Sequence, residues 1–239
     1  MATWFRRRKK RVDVPRLRSR SDAQSNVNHV ALGELTPELM PFLGQAAYIQ
    51  LSIFEALTRA IVTAPTAAAK EAVSRVAATS LAKHHGLVGE IERQGGTAGE
   101  AMAPYSERID HYRRITQGDD WYELVTAGYL TAGILDDFFL SLASGLPQAP
   151  ADRIVGVLSE DAGGDILERE LHSAIDANPR LASRLAVWGR RLVGDTLLVA
   201  RSALAMPPSS ARDEEKLEPV VTEVIAAHTR RMDGLGLTA

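Results

Sequence analysis

The chain has 239 residues, of which 45% are hydrophobic and 24% charged, a composition that suits one large or two small globular domains. It contains no cysteine, which excludes disulfides and thiolate metal sites. No uninterrupted apolar run approaches the roughly 20 residues that cross a bilayer, so we expect a cytoplasmic protein without a transmembrane segment.

The N-terminus is a basic arm, residues 1–33. Residues 1–20 carry nine Lys or Arg and one acid, Asp13, so this segment has a charge of +8 and the rest of the chain sums to -10. Such an arm can contact RNA, an anionic lipid surface or another protein. The residues predicted to make these contacts are Arg6, Arg7, Arg8, Lys9, Lys10 and Arg11. The alternative is a disordered, solvated tail that docks on the chain's own acidic body.

Two long helices are predicted after the arm. Thr36 and Pro37 form a start signal, and apolar residues then recur every three or four positions up to Pro65. Thr66 begins the second helix, which ends at the glycine pair 95–96.

The segment between this pair and Asp119 is predicted as a connection that contains Pro104 and a short helix over 106–115. Three long helices follow, and the first of them is apolar nearly all round. They are bounded by Asp120 and Gly145, by Asp152 and Asn178, and by Pro179 and Ala205.

Helices of this length joined mostly by short loops pack as an antiparallel bundle. The predicted fold is therefore an all-α bundle of four to five long helices over residues 34–206. Residues 207–239 are predicted as a linker and a C-terminal amphipathic helix over 218–232. The sequence has no glycine-rich phosphate loop, nucleophile elbow or strand pattern, which excludes P-loop, Rossmann and α/β-hydrolase chemistry.

Polar residues on inward faces are the candidates for function, because burying them without partners costs roughly 1–3 kcal/mol each. Gln50 lies on the apolar stripe of the first helix and is favoured as a buried hydrogen-bonding amide over a metal ligand. His84 points inward on the second helix and His85 lies at the edge. A di-iron bundle needs Glu-x-x-His, and Leu81 and Ala82 stand where the glutamate would be.

The later helices carry further polar candidates. In the third helix Asp136 lies on the flank of the apolar arc, and Thr131 faces inward with its own backbone as a hydrogen-bond acceptor. In the fourth, Glu160, Asp161 and Glu168 face the interior or its rim near Gly163. Two alternatives stay open there: a ligand pocket made by close helix approach, or a helix break with solvated acids.

The fifth helix has a basic face. Its arginines, together with Trp188, can bind phosphate or form ion pairs with acids such as those of the fourth helix. These arginines are Arg180, Arg184, Arg190, Arg191 and Arg201.

Four helix segments carry a resemblance to a known family. The segments are "FLGQAAYIQLSIFEALTRA", "SLAKHHGLVGEIERQGG", "LTAGILDDFFLSLASGLP" and "LAVWGRRLVGDTLLVARSAL". Over residues 34–206 the chain resembles actinobacterial ferritin-like proteins grouped with the tRNA 2-methylthio-isopentenyl-adenosine hydroxylase. The resemblance implies a ferritin-like bundle, oxygen activation at a di-iron centre, and hydroxylation of a modified adenosine in tRNA.

The same resemblance implies that this centre is degenerate. Gln50, Thr131 and Gly163 stand at positions where ligands are expected, and only His84 and Glu160 survive under the best register. Asp136, Asp161 and Glu168 are further candidate metal ligands.

Two hypotheses follow from these residues. The first is a non-catalytic binding or scaffold protein that holds no cofactor and meets RNA or another protein through its arm. The second is a diverged metal-dependent oxygenase that holds iron. The apolar helices also predict a homodimer.

Overall fold

The computed structural model describes residues 35–161, 163–204 and 211–238, of which 211–217 and 219–220 are described by backbone alone. These residues form eight helices and no strands, which confirms the predicted all-α bundle. The helices are α1 Leu39–Thr63, α2 Ala67–Arg93, α3 Ala98–Ile115, α4 Trp121–Ala143, α5 Gln148–Leu158, α6 Gly164–Ala177, α7 Pro179–Ser202 and α8 Ala211–Gly234.

Helix α4 is the central element of the bundle. It packs against α1, α5, α6, α7 and α8, while α2 packs mainly on α1. By length and composition alone α4 could cross a membrane, but 72% of its most apolar 18-residue window is buried against the other helices. An apolar surface on all sides is what a helix with five packed neighbours requires.

The predicted helix starts at Thr66, Asp120 and Pro179 are confirmed, whereas those at Thr36 and Asp152 are wrong, because α1 begins at Leu39 and α5 at Gln148. The Thr66 and Asp120 side chains each accept a hydrogen bond, at 3.0 Å, from the backbone N–H three residues later, so they cap α2 and α4. Thr36 does not cap α1, which begins at Leu39. Its hydroxyl donates instead to the Leu142 carbonyl at 2.5 Å, so it ties the start of the bundle to the end of α4.

The helix predicted over 106–115 is present but is longer than expected, so the predicted connection after α2 is mostly helical. Residues 98–115 form a continuous helix, α3, in spite of Pro104. The helix holds because Ile109 and Tyr112 bury an apolar stripe, and because α3 packs closely on α1. Tertiary packing here outweighs the backbone hydrogen bond that proline removes.

The predicted fourth helix is broken into α5 and α6, so the open alternative of a helix break is the one the structure adopts. Gly163 has φ +68°, in the left-handed region, and a Cβ there would lie 2.9 Å from Cγ2 of Val76. Asp161 accepts a hydrogen bond from the Gly163 N–H at 2.9 Å and closes the turn. Helix α5 has already ended at Leu158, and Gly163 occupies the N-cap position from which α6 begins.

The C-terminal helix is longer than predicted, because α8 begins at Ala211. It packs on α4 and α7. Of the predicted linker, residues 207–210 lie outside the described residues.

Candidate functional site

Three polar side chains meet in the interior where α1, α2 and α4 pack together. The Lys83 ammonium lies 2.7 Å from Oδ2 of Asp136, and the Gln50 side-chain amide donates to Oδ1 of Asp136 at 2.6 Å. We call these residues the central triad. The interpretation of Gln50 as a buried hydrogen-bonding amide is confirmed, whereas Lys83 was not predicted to be buried.

Both charges of the central triad are removed from water. The Lys83 side chain is 1% exposed and that of Asp136 is 9% exposed. Burial raises the pKa of the Asp136 carboxyl, and the Lys83 ammonium and the Gln50 amide offset part of that rise. Desolvation costs several kcal/mol per ion, so each charge is tolerated only because the other is adjacent.

His84 holds α2 against α1. It is 8% exposed, and its Nδ1 lies 2.9 Å from the Ala47 carbonyl oxygen. Since a carbonyl only accepts, Nδ1 carries the proton and donates it. His85 is exposed. The predicted orientations of the two histidines are therefore confirmed.

Thr131 is buried, and its hydroxyl donates to the Ala127 carbonyl of its own helix at 2.6 Å, as predicted. It lines a small, mostly apolar cavity of about 40 Å³ between α1, α3 and α4. Thr131 is thus satisfied locally and makes no polar contact with the central triad.

A larger cavity of about 240 Å³ lies beside the central triad, between α2, α4, α6 and the turn after α5. We call it the α4 cavity. Lys83 and Asp136 line its inner part, and Arg231 of α8 forms part of its wall. Glu160 and Asp161 also line it but are exposed. The cavity therefore has a buried ion pair inside and solvated carboxylates outside.

Arg231 reaches the α4 cavity across a glycine. Its NH2 group donates to Oδ2 of Asp137 at 2.8 Å, and a Cβ added at Gly133 would overlap its Nε. The side chain of any other residue at 133 would displace the guanidinium. Gly133 thus lets α8 anchor on α4 with an ion pair.

Glu168 also lies near this cavity but is engaged elsewhere. Its Oε2 accepts from the Tyr129 hydroxyl at 3.0 Å, and its Oε1 lies 3.7 Å from Nε2 of His172. Burial and the neighbouring carboxylate raise the pKa of Tyr129, so its hydroxyl stays protonated and donates. The Tyr129–Glu168 hydrogen bond joins α4 to α6.

The five candidate metal ligands are not brought together. His84 bonds to backbone, Asp136 to the central triad and Glu168 to Tyr129, while Glu160 and Asp161 are exposed. In the described part of the chain no three His, Cys, Asp or Glu side chains are grouped to hold a metal ion. The Asp136 carboxylate is paired with the Lys83 ammonium, which occupies the place where a metal ion would bind. The donor set does not fit a di-iron centre, and Gly163 belongs to a backbone turn.

A second buried carboxylate was missed by sequence reasoning. The Glu90 side chain of α2 is 2% exposed. Arg153 of α5 donates two hydrogen bonds to it, from Nε to Oε2 at 2.8 Å and from NH2 to Oε1 at 2.7 Å. Arg93 and Gln94 also donate to it. The Arg153 hydrogen bonds, helped by those of Gln94 and Arg93 against the opposing effect of burial, lower the pKa of Glu90 to about 2. This cluster fixes α5 on α2.

The structure describes some of the predicted arginine contacts but not those of the N-terminal arm. Arg184 of α7 forms an ion pair with Asp120 at the start of α4, so the acids it meets are not those of the predicted fourth helix. The six basic residues from Arg6 to Arg11 lie outside the described residues.

Comparison with known proteins agrees with this fold. Residues 37–206 match a family described as a ferritin-like domain of actinomycetes. No curated protein matches the chain. Since the match spans well over half of its length, the chain belongs to the actinomycete ferritin-like domain family.

Proposed function

We propose that this protein is a non-catalytic, cytoplasmic member of its family that binds RNA or a protein partner. The observation that carries this proposal is the Lys83–Asp136 ion pair at the centre of the bundle. A protein cation with a fixed position satisfies the Asp136 carboxylate, so this carboxylate needs no metal ion to neutralise it. The basic arm, residues 6–11, is proposed to contribute to binding through its charge.

The alternative is a diverged metal-dependent oxygenase, similar to the tRNA hydroxylases that the helix segments resemble. One observation favours it: Asp136, Glu160 and Asp161 line the same cavity. Rotation of exposed Glu160 and Asp161 toward Asp136 would gather three carboxylates, provided that Lys83 withdrew.

Metal analysis separates the two proposals. The full chain is purified from iron-supplemented cells beside His84→Ala and His85→Ala, the second being the exposed matched control. We expect substoichiometric iron in all three proteins, measured by mass spectrometry of the digested samples. Stoichiometric iron in the wild type would contradict the non-catalytic proposal and support the oxygenase, and its loss in His84→Ala but not in His85→Ala would place His84 among the ligands.

A further inference from the structure

The exposed face of α7 is rich in arginine. Five arginines lie on it, together with Val187, Gly194, Leu198 and Ser183, and the half-buried Asp195, four residues after Arg191, lies at its edge. The arginines are Arg180, Arg184, Arg190, Arg191 and Arg201. Such a face is unexpected on a body whose charge, outside residues 1–20, sums to -10.

Most of this charge is not neutralised within the described residues. Arg184 pairs with Asp120 and approaches Glu123 at 3.8 Å, and Arg190 donates to the Thr238 carbonyl at 2.7 Å. The other three arginines make no ion pair or hydrogen bond within the described ranges. Arg191 lies over the Trp188 ring, 5.6 Å from its centroid, which orients a cation without cancelling it.

The shape of the face limits what it can contact. Arg180 and Arg201 are separated by about 31 Å along a continuous helix, at 1.5 Å per residue. The opposite side of α7 is packed on α4 and α8, so the helix forms a low ridge instead of a free rod. It can lie across a row of phosphates but cannot enter a deep groove.

We infer that this ridge binds the phosphodiester backbone of double-stranded RNA. The guanidinium fork matches phosphate geometry, and A-form RNA presents a wide, shallow minor groove to a surface of this kind. Ser183 is the one exposed polar residue between the arginines, so the contact reads backbone and not sequence. This inference deepens the proposed binding role, on which it rests, and assigns it to the folded body as well as to the arm.

An anionic membrane fits this face less well. Its exposed apolar side chains are Val187 and Leu198, 63% and 65% exposed. They are separated by about 16 Å of helix. Interfacial helices insert a continuous apolar face with aromatic anchors. The aromatic here, Trp188, is half-buried and donates its Nε1–H to the Glu123 carbonyl at 3.2 Å.

The test uses the full chain with its arm intact. The variant Arg180→Gln/Arg191→Gln/Arg201→Gln is compared with a control that loses the same charge from other exposed positions, Arg75→Gln/Arg108→Gln/Arg114→Gln. Binding to a fluorescent RNA duplex of about 20 base pairs, long enough to span the ridge, is measured by anisotropy from about 50 to 200 mM salt. Circular dichroism checks that each variant is folded, and iron is measured in the same preparations.

We expect the α7 variant to raise Kd at least about tenfold at about 100 mM salt and to reduce the salt slope by roughly 3. The control should stay within about threefold of the wild type. Equal losses in both variants, or none in the α7 variant, would overturn the inference. The inference would also be overturned if a DNA duplex of the same sequence bound as tightly as the RNA. The same holds if the α7 variant lost binding to anionic vesicles but kept its binding to RNA. Iron in these preparations would refute the non-catalytic proposal alone, because the RNA readout does not depend on it.

Discussion

Helix α2 carries two charged side chains into the interior, Lys83 and Glu90, and they meet their opposite charges in different ways. At Lys83 both partners are buried, with Asp136 also removed from water. At Glu90 only the carboxylate is buried, because its partners Arg153 and Arg93 keep 43% and 57% of their side chains exposed.

The pKa values of the two carboxyl groups are shifted in opposite directions. Burial raises the pKa of Asp136 although an ammonium lies beside it. At Glu90 the arginine hydrogen bonds outweigh burial and lower the pKa to about 2. An ion pair stabilises a carboxylate most when its cation keeps its hydration, since only one desolvation cost is then incurred. In the central triad each buried charge therefore mainly offsets the desolvation cost of the other. In the Glu90 cluster the ion pairs stabilise the folded state, because only the carboxylate is desolvated.

The largest expected effect comes from breaking the central triad. Asp136→Asn keeps the shape of the side chain but leaves the Lys83 ammonium buried without a counter-charge. We expect the free energy of unfolding, measured in urea at pH 7, to fall by about 3–5 kcal/mol.

The double variant Lys83→Met/Asp136→Asn is its control. It removes the orphaned charge, and the introduced side-chain amide can still accept a hydrogen bond from Gln50, so it should recover more than half of the loss. If the double variant is as unstable as Asp136→Asn, the pair is not held together by mutual neutralisation.

The next effect concerns Glu90. Its folded pKa lies below the unfolded value of 4.5, so its stabilising contribution is present above pH 4.5 and is lost as the pH falls toward 2. We expect Glu90→Gln to cost about 2 kcal/mol at pH 7, less than the full pKa difference implies because the arginines are screened by solvent.

The measurement is urea unfolding at pH 7 and pH 3, with the exposed neighbour Glu92→Gln as the control. The gap between wild type and Glu90→Gln should narrow at pH 3. A gap of equal size at both pH values would show that Glu90 acts by shape alone.

Residue type explains why only some of the buried polar side chains could be predicted from the sequence. Gln50 and His84 were predicted to be buried because the apolar spacing on either side places them on the inner face. Lys83 and Glu90 lie on that face too, in the series 76, 80, 83, 87 and 90. Neither was predicted to be buried, because charged residues are rarely buried unless paired.

The pairing itself could not be predicted, since Asp136 and Arg153 lie 53 and 63 residues further along the chain. The same limit explains α3 and the break at Gly163. Local signals gave the caps at Thr66 and Asp120, which depend on residues three positions apart. They did not show that α1 would stabilise a proline-containing helix, or that Val76 would leave no room for a Cβ at 163.

His228 of α8 is a third case, a buried titratable group with no opposite charge. It is 4% exposed, and neither ring nitrogen has a hydrogen-bond partner within the described residues. Burial, with a smaller effect from Arg231, lowers its pKa. Its neutral form is favoured in the folded state, so its stabilising contribution is full above pH 6.5 and is lost as the pH falls below that value.

The smallest predicted effect is that of His228→Leu, which removes two unsatisfied nitrogens while keeping an apolar side chain. We expect it to raise the free energy of unfolding by roughly 0.5–1 kcal/mol at pH 7 and to flatten the decline between about pH 7 and 5.5. Exposed His111→Leu is the matched control and should leave that decline unchanged. Urea unfolding at both pH values measures it. If the free energy of unfolding of His228→Leu fell with pH as it does in the wild type, α8 would remain packed when His228 is protonated. Burial of His228 without a counter-charge would then cost little.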